Sequence, residues 1–375
     1  MSAPLTPFPT DPRAGDELRD ALARLLDGLP PRQAVGAVER LITHYRGSVP
    51  TGTPVLRDRA DVAAYAAYRM PATFGAVSAA LGALADRAPG LAPGSHLDVG
   101  GGTGAAVWAA AAVWGDGAAD GTDGTDAADV RRTTVLDWAE PALVLGRELA
   151  AASGSAALRT AQWRRARITP GAELPAADLV TVSYVLNELT EDARHWLADA
   201  AAAAGKAVVV VEPGTPDGYR RTIEARDRLV AAGLRVLAPC PHSGTCPIAP
   251  GSDWCHFAAR VSRSSLHRQV KGGALAYEDE KFSYVAAVRP EAAGAPAGAR
   301  IVRRPQIRKG QVLLDLCAGP DPEHGGLRRE TVTKRHGPAY RAARDAAWGD
   351  EWDTGRDGGQ DTGQDTGQGS GPDGG

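Results

Sequence analysis

A glycine-rich loop places the tightest constraint on the fold of this 375-residue chain. A short apolar stretch, His96–Val99, leads into glycines at positions 100, 101, 102 and 104, and an alanine-rich segment follows. Glycine lets the backbone adopt a positive φ and approach a ligand closely, and a helix that begins after such a turn offers free N–H groups. The pattern therefore predicts a strand, a tight turn and a helix, with a ligand site at the turn.

The spacing of the glycines leaves three interpretations of this loop. Asp-x-Gly-x-Gly-x-Gly at the end of a first strand resembles motif I of class I S-adenosylmethionine (SAM) methyltransferases. A relaxed dinucleotide pattern also fits, because Ala105 occupies the third-glycine position of Gly-x-Gly-x-x-Gly. The third interpretation is a glycine-rich turn that binds no ligand. The methyl-donor interpretation is the one that we take forward.

From residue 96 onward the chain alternates between strand and helix patterns. Continuous apolar runs predict seven strands, whose composition suits a parallel sheet buried on both faces. The strands are expected at residues 96–99, 133–137, 161–168 (weakly), 177–183, 207–212, 234–238 and 282–288. The expected fold class is α/β, a doubly wound class I methyltransferase (Rossmann-like) sheet.

Composition divides the rest of the chain around this domain. Residues 1–90 are expected to form a helical N-terminal cap, in which Pro71 should begin or kink a helix rather than lie in its middle. The methyltransferase-like domain spans 91–290, with a disordered insertion at 115–130 and a cysteine-bearing insertion at 239–281. A basic C-terminal β extension at 299–348, with strands at 300–304 and 311–316, precedes a disordered tail at 349–375.

The candidate cofactor-binding residues lie at the carboxyl ends of the predicted strands, where open α/β sheets bind ligands. They are Asp98, Gly100, Gly102, Gly104, Asp137 and Asn187. Asp137 closes the second strand, as an acid that binds ribose hydroxyls should, although it could instead cap a helix. The segment around Asn187 lacks the Asn/Asp-Pro-Pro-aromatic box of amino methyltransferases. The sequence therefore names no catalytic residue.

The four cysteines of the chain form the second candidate site. Cys240, Cys246 and Cys255 lie in the insertion, and Cys317 ends the last predicted strand, so a folded-back extension would bring all four together. Two close cysteine pairs, as in a zinc ribbon, are absent, and the wide spacing favours a [4Fe–4S] cluster. A Cys₃His zinc site that uses His242 or His256 remains open, as do unliganded buried thiols.

Several further motifs resemble one family, the methyltransferase-like assembly proteins of the small ribosomal subunit, known in mitochondria and with bacterial relatives. The matching segments are 69–73 (RMPAT), 212–216 (EPGTP), 239–242 (PCPH), 253–257 (DWCHF), 277–284 (YEDEKFSY), 308–310 (RKG) and 315–317 (DLC). The resemblance covers about residues 30–350. It implies that the four cysteines hold a [4Fe–4S] cluster and that the protein associates with the maturing small subunit.

The distribution of charge is consistent with an RNA partner. Residues 255–348 carry 17 Lys and Arg against 9 Asp and Glu, whereas residues 349–375 carry 1 against 7. Arg303, Arg304, Arg308 and Lys309 crowd one predicted hairpin, and Arg328, Arg329, Lys334 and Arg335 follow. Such clustering is typical of nucleic-acid binding, although a solvated basic face is the plainer interpretation.

These observations predict a SAM-binding, cytoplasmic protein with an iron–sulfur site that acts on the small ribosomal subunit or methylates its rRNA. Two alternatives are a non-catalytic assembly factor of the same fold and a small-molecule methyltransferase. No apolar run approaches the length of a membrane span, and no secretory signal is recognisable. The oligomeric state is not predicted.

Overall fold

The computed structural model describes residues 12–27, 35–39, 59–117, 130–249, 251–263, 276–292, 294–319 and 326–352. The predicted disordered insertion, apart from its two ends, and residues 353–375 of the predicted tail lie outside these ranges, as do parts of the predicted N-terminal helices. No helix among the described residues is long and apolar enough to cross a membrane.

The central sheet has eight strands in the order β3-β2-β1-β4-β5-β8-β6, and β7 pairs with β8. Strands β1 to β5 are mutually parallel, and β8 runs antiparallel to both β5 and β6. Their bounds are β1 Ser95–Val99, β2 Arg132–Asp137, β3 Gln162–Arg165, β4 Ala177–Ser183, β5 Gly205–Pro213, β6 Arg235–Ala238, β7 Phe257–Ser262 and β8 Tyr277–Val288. The predicted doubly wound α/β class is confirmed.

Helices cover both faces of this sheet. Apolar residues of α2 and α3 pack on one face and those of α6 and α7 on the other, while α1 and α4 extend the first layer around Trp108 and Trp163. The helices are α1 Pro12–Asp27, α2 Arg59–Arg87, α3 Ala105–Trp114, α4 Glu140–Ala151, α5 Ala156–Arg159, α6 Glu191–Ala204, α7 Pro216–Ala231 and α8 Pro338–Asp345. Residues 35–39 are also helical.

Helix α2 corrects one expectation, because Pro71 lies inside it rather than at its start. Proline removes one helical hydrogen bond and crowds the preceding turn. More than half of this long helix is buried, including Met70 and Ala72 on either side of the proline. Burial of these neighbours against the sheet and the glycine loop outweighs the local preference of proline for a helix start.

The segment 239–281 is also not wholly an insertion. Its residues Phe257–Ser262 form β7, which pairs along the first half of β8 and joins the central sheet. The sequence did not predict this strand pair, because the first half of β8, Tyr277–Lys281, is mostly charged. A pair of strands at the edge of a sheet does not need the continuous apolar run of a buried parallel strand.

The C-terminal extension folds as a second sheet with its own core. Its five strands are β9 Ala299–Ile301, β10 Gln306–Arg308, β11 Gln311–Ala318, β12 Gly326–Thr333 and β13 Glu351–Trp352. Leu314, Leu316 and Ala343 of α8 are among its buried residues. The predicted boundary at residue 348 is wrong, because β13 pairs with β9 and buries Trp352, so ordered structure continues to residue 352.

Candidate functional site

The glycine loop lies between the carboxyl end of β1 and the start of α3. Gly100, Gly102 and Gly104 all have positive φ, which side chains disfavour. A Cβ at Gly100 would lie 2.3 Å from Val185, and one at Gly104 would lie 2.5 Å from Trp163, so glycine is required at both positions. At Gly102 a Cβ would instead point into the space beside Asp137, whose Oδ2 would be 3.8 Å away.

Asp137 closes the loop on its outer side. Its Oδ2 accepts a hydrogen bond from the Gly102 N–H at 2.9 Å, and its Oδ1 accepts one from the Ala139 N–H at 2.8 Å. Burial raises the pKa of this carboxyl, and the backbone donors oppose that rise. Gly100 and Gly101 also donate their amides within the protein, to the Leu136 carbonyl. The acid and the loop therefore form one connected cradle, open where Gly102 lacks a side chain.

Asp98 lies at the base of the cradle and is fully buried. The Thr181 hydroxyl donates to its Oδ1 at 2.7 Å, and the same hydroxyl oxygen lies 2.8 Å from Nε2 of His96. Because the hydroxyl proton goes to Asp98, His96 must donate to Thr181 through Nε2. The other carboxylate oxygen, Oδ2 of Asp98, is buried without a hydrogen-bond partner among the described residues.

Burial changes the protonation of Asp98 and of His96. It raises the pKa of Asp98 to about 7, and the negative charge of Asp137 adds to the rise. It lowers the pKa of His96 to about 3, with a further contribution from the positive charge of Arg131. Asp98 therefore exchanges a proton near neutral pH, whereas His96 stays neutral.

Asn187 lies beyond the end of β4 in a short 3₁₀ turn, residues 186–188, and is exposed. Glu212 of β5 fixes this turn, because its buried Oε1 accepts the Leu186 N–H at 3.0 Å. Its Oε2 accepts a hydrogen bond from Arg221 of α7 at 2.7 Å. The motif at 212–216 thus supports the turn that carries Asn187, a role that the sequence did not indicate.

The second site is a cavity between the two sheets that all four cysteines line. Cys240 follows β6, Cys246 and Cys255 come from the loop that leads to β7, and Cys317 lies on β11 of the small sheet. The Tyr219 hydroxyl lies 3.1 Å from Sγ of Cys246. Cys317 of the extension therefore lines the same cavity as the three cysteines of the 239–281 segment.

Burial favours the neutral form of three thiols in this cavity, those of Cys240, Cys255 and Cys317. Burial raises the pKa of Cys317 to about 12, and repulsion from Cys240 and Cys246 adds to the rise. Burial also raises the pKa of Cys240 and Cys255. Two buried guanidiniums, Arg226 and Arg300, oppose these increases. The cavity therefore disfavours free thiolates, and the two guanidiniums offset part of the cost of negative charge at Cys240 and Cys317.

No group of three or more His, Cys, Asp or Glu side chains is placed to hold a metal ion in the part of the chain that the structure describes. Nε2 of His242 lies 3.8 Å from Sγ of Cys317, but His256 packs against Trp254 and Trp348 instead. The four cysteines thus line one cavity, and neither the zinc nor the iron–sulfur interpretation is decided by these contacts.

The structure separates the predicted basic cluster into two groups. Arg303 pairs with Asp253, and Arg304 pairs with Asp279 at 3.0 Å, so both are locally neutralised. Arg308 and Lys309 lie in the exposed turn between β10 and β11. The Lys334 N–H donates to the Gly310 carbonyl at 3.1 Å, which brings Lys334 and Arg335 beside that turn. We call Arg308, Lys309, Lys334 and Arg335 the basic turn.

Comparison with known proteins identifies relatives. A family model described as mitochondrial small ribosomal subunit Rsm22 matches residues 59–353. The human mitochondrial ribosome assembly protein METTL17 is 29% identical over 303 residues, which cover 76% of this chain and 61% of that protein. A mitochondrial Rsm22-cox11 tandem protein of Schizosaccharomyces pombe is 27% identical over 189 residues, covering 39% and 24% of the two chains. The chain thus matches about three fifths of the human relative's length.

Solved structures of similar arrangement include SAM-dependent enzymes. The SAM-dependent methyltransferase SibL is 18% identical, with a TM-score of 0.35 and coverage of 73% of this chain and 74% of that chain. A complex of DhpI with S-adenosylhomocysteine (SAH) is 16% identical, with a TM-score of 0.35 and coverage of 68% and 98%.

Proposed function

Because the chain belongs to the mitochondrial small ribosomal subunit Rsm22 family, we propose that it acts in the assembly of the small ribosomal subunit. The family match carries this proposal, since it spans both sheets and therefore includes the methyltransferase-like domain and the basic extension. The human relative is named as a ribosome assembly protein, which supports the same role here. A cytoplasmic location stays a prediction, and the mitochondrial relatives do not support it.

The cradle of Asp98, Gly100, Gly102, Gly104 and Asp137 supports binding of SAM. The Gly102 position leaves open space beside Asp137, and Asp98 carries a buried oxygen without a partner. The loop amides of Gly100, Gly101 and Gly102 donate within the protein, so they do not present the anion site that a dinucleotide pyrophosphate needs. Bound SAM would supply an electrophilic methyl group. Asp137 would hold its ribose, and Asn187 would lie at the carboxyl end of β4.

The cysteine cavity supports a [4Fe–4S] cluster held by Cys240, Cys246, Cys255 and Cys317. A [4Fe–4S] cluster takes four thiolate ligands, and the lining of one cavity by all four cysteines supports this proposal. Four thiolates would give the cluster a net negative charge, and the buried Arg226 and Arg300 offset part of it. The cluster would join the small sheet to the cysteine-bearing loop, and its thiolates would form only as metal replaces protons.

The basic turn supports contact with rRNA. None of its four side chains has a carboxylate partner among the described residues, unlike Arg303 and Arg304. Exposed cations that are not internally neutralised can contact phosphates. If the protein is an enzyme, the proposed activity is methylation of rRNA. The alternative is an assembly factor that catalyses no reaction.

Co-sedimentation with purified small subunits tests the proposed role. We expect the protein to sediment with immature small subunits of its source organism and not with large subunits. Binding should weaken as salt increases, because phosphate contacts release counterions. Protein that stays at the top of the gradient with both subunits, while remaining folded, would contradict the proposal.

A further inference from the structure

A half-buried polar cluster lies at the edge of the cradle. It joins Arg69 of α2, Tyr184 at the end of β4 and Glu280 of β8. Oε1 of Glu280 accepts hydrogen bonds from the Tyr184 hydroxyl at 3.0 Å and from Nη2 of Arg69 at 3.2 Å. The Arg69 guanidinium also lies 5.5 Å from the centroid of the Tyr184 ring. Three elements that are distant in sequence thus meet at one point.

Tyr184 adopts a strained backbone conformation there. It has a φ of 60° and is the non-glycine residue with positive φ among the described residues. A tyrosine in the left-handed region costs free energy, and such outliers persist where surrounding contacts over-determine them, often at ligand sites. Its N–H donates to the Val211 carbonyl, and its hydroxyl is held by Glu280. In this conformation the ring lies beside the Arg69 guanidinium.

The order of the strands relates this cluster to the cradle. Asp137 ends β2, the glycine loop follows β1, and Tyr184 follows β4, so the cluster lies on the opposite side of the loop from Asp137. Two strand spacings separate β2 from β4, roughly 10 Å. Arg69 is also adjacent to Met70, whose sulfur accepts a hydrogen bond from Thr103 of the loop at 3.4 Å. This contact places the segment 69–70 beside the glycine loop.

We propose that Arg69 and Glu280 bind the amino-acid end of SAM, with Arg69 on its carboxylate and Glu280 on its ammonium group. This inference rests on the proposed SAM site and assigns its second half. A ligand whose ribose is held at Asp137 extends across the loop toward β4, and its far end is a zwitterion. The cluster offers one cation and one carboxylate, and about a third of the Arg69 side chain is exposed, so its fork can accept an anion.

The proposal predicts different affinities for two ligands that share an adenosine group, SAM and 5′-methylthioadenosine. 5′-Methylthioadenosine lacks the aminobutyrate group of SAM and so lacks both charges. Calorimetric titration of the full-length protein should show tighter binding of SAM than of methylthioadenosine. In Arg69→Gln and Glu280→Gln the affinity for SAM should fall roughly 10- to 100-fold, as expected for lost charge-assisted hydrogen bonds. The affinity for methylthioadenosine should stay unchanged in both variants.

Arg260→Gln is the matched control, because Arg260 forms an exposed pair with Asp279 beside the cluster. It should bind both probes as wild type does. Equal losses for SAM and methylthioadenosine in Arg69→Gln would overturn the proposal in favour of a structural role. Wild-type protein that binds both probes equally well would overturn only the assignment of Arg69 and Glu280. Wild-type protein that binds neither would overturn the SAM site itself and this inference with it.

Arg69→Lys provides a second test in case Arg69→Gln does not fold. Lysine keeps the positive charge and its attraction to Glu280 but cannot form the bidentate fork of a guanidinium. Its affinity for SAM should lie between those of wild type and Arg69→Gln, with methylthioadenosine binding unchanged. Loss of methylthioadenosine binding in this folded variant would contradict the proposal.

Discussion

Asp98 shows how the fold sets the chemistry of a single side chain. Its ordinary pKa of 3.8 rises to about 7 because the carboxyl is fully buried, and the Thr181 hydroxyl only partly offsets this. Between these two values the folded protein retains a proton that the unfolded chain has released. The free energy of unfolding therefore decreases as pH rises through this interval.

Replacing Asp98 by Asn should remove this pH dependence. The neutral amide has no proton to lose, so Asp98→Asn should lose less stability than wild type between pH 5 and pH 8. Urea unfolding at the two pH values measures the difference. Asp199→Asn, at an exposed ion pair with Arg228, should behave as wild type. An Asp98→Asn variant with the pH dependence of wild type would show that Asp98 is ionised throughout this range.

Substitution of Gly102 tests whether the cradle binds SAM. An arginine at this position would fill the space beside Asp137, so Gly102→Arg should abolish calorimetric binding of SAM. Gly115→Arg is the control, because Gly115 has a similar φ of 61° and open space around it. Both variants place a side chain at a positive φ, and only the first should lose SAM binding while the protein remains folded. Equal binding by the two variants would place the donor elsewhere.

The sequence predicted the donor site better than it predicted the cluster of Arg69, Tyr184 and Glu280. The site residues of the loop follow one another within a few positions, so spacing alone reveals them. The cluster joins residues 69, 184 and 280, and only the packing of α2 and β8 against the end of β4 brings them together. The motifs at 69–73 and 277–284 were recognised in the sequence, but the sequence did not indicate that they contact each other.

At the scale of elements, helix α7 links the two sites. Arg221 binds Glu212 beneath the turn of Asn187, while Tyr219 and Arg226 face the cysteine cavity. Thr215 caps the start of the helix, and its hydroxyl accepts a hydrogen bond from the Gly218 N–H at 3.1 Å. Gly218 packs so closely that a Cβ there would lie 1.9 Å from the Pro213 carbonyl oxygen. This approach fixes the helix against the end of β5.

Two glycine-to-alanine substitutions in helices should therefore have opposite effects. Gly218→Ala should destabilise the protein by more than about 2 kcal/mol, because the helix must move away from Pro213. Gly82→Ala in α2, where nothing lies within 4 Å, should stabilise it by about 0.5–1 kcal/mol. Thermal or urea unfolding measures both. Equal and small effects would contradict the tight contact.

Substitutions in the basic turn test whether this element contacts RNA. Reversing the charges of Arg308, Lys309, Lys334 and Arg335 to Glu should weaken binding to small-subunit rRNA. The slope of log affinity against log salt should become shallower by about 3, if each cation neutralises one phosphate. Arg303→Glu with Arg304→Glu should change the slope less, because Asp253 and Asp279 already neutralise these side chains. An unchanged slope in the fourfold variant would locate the RNA contact elsewhere.

Buried strands were predictable and edge strands were not. The apolar runs of β1, β2, β4 and β5 were recognised because a parallel sheet buries both faces. In contrast, β12 has a mostly polar sequence over Gly326–Thr333, and β7 lies in a segment predicted to be an insertion. Their positions depend on pairing partners, which the local sequence does not specify.

For the whole molecule, the main question is what joins the two sheets. Arg300 of the small sheet donates to the Pro239 carbonyl at 2.9 Å, and Glu351 pairs with Arg87 of α2. The cysteine cavity lies at the same junction, with Cys317 on one sheet and the other three cysteines in the segment between β6 and β7. A cluster there would cross-link Cys255 and Cys317, which have 61 residues between them, and such cross-links restrict the unfolded chain.

Analysis of iron and acid-labile sulfide in anaerobically purified protein tests this account most directly. We expect about four iron and four sulfide per chain, with broad visible absorption. Cys317→Ser should lose that absorption, and residues 299–348 should become more sensitive to proteolysis. Ser252→Ala, at an exposed serine in the same loop, should retain both properties. One zinc per chain without sulfide would contradict the cluster, and protein without any metal would reduce the cavity to a set of buried thiols.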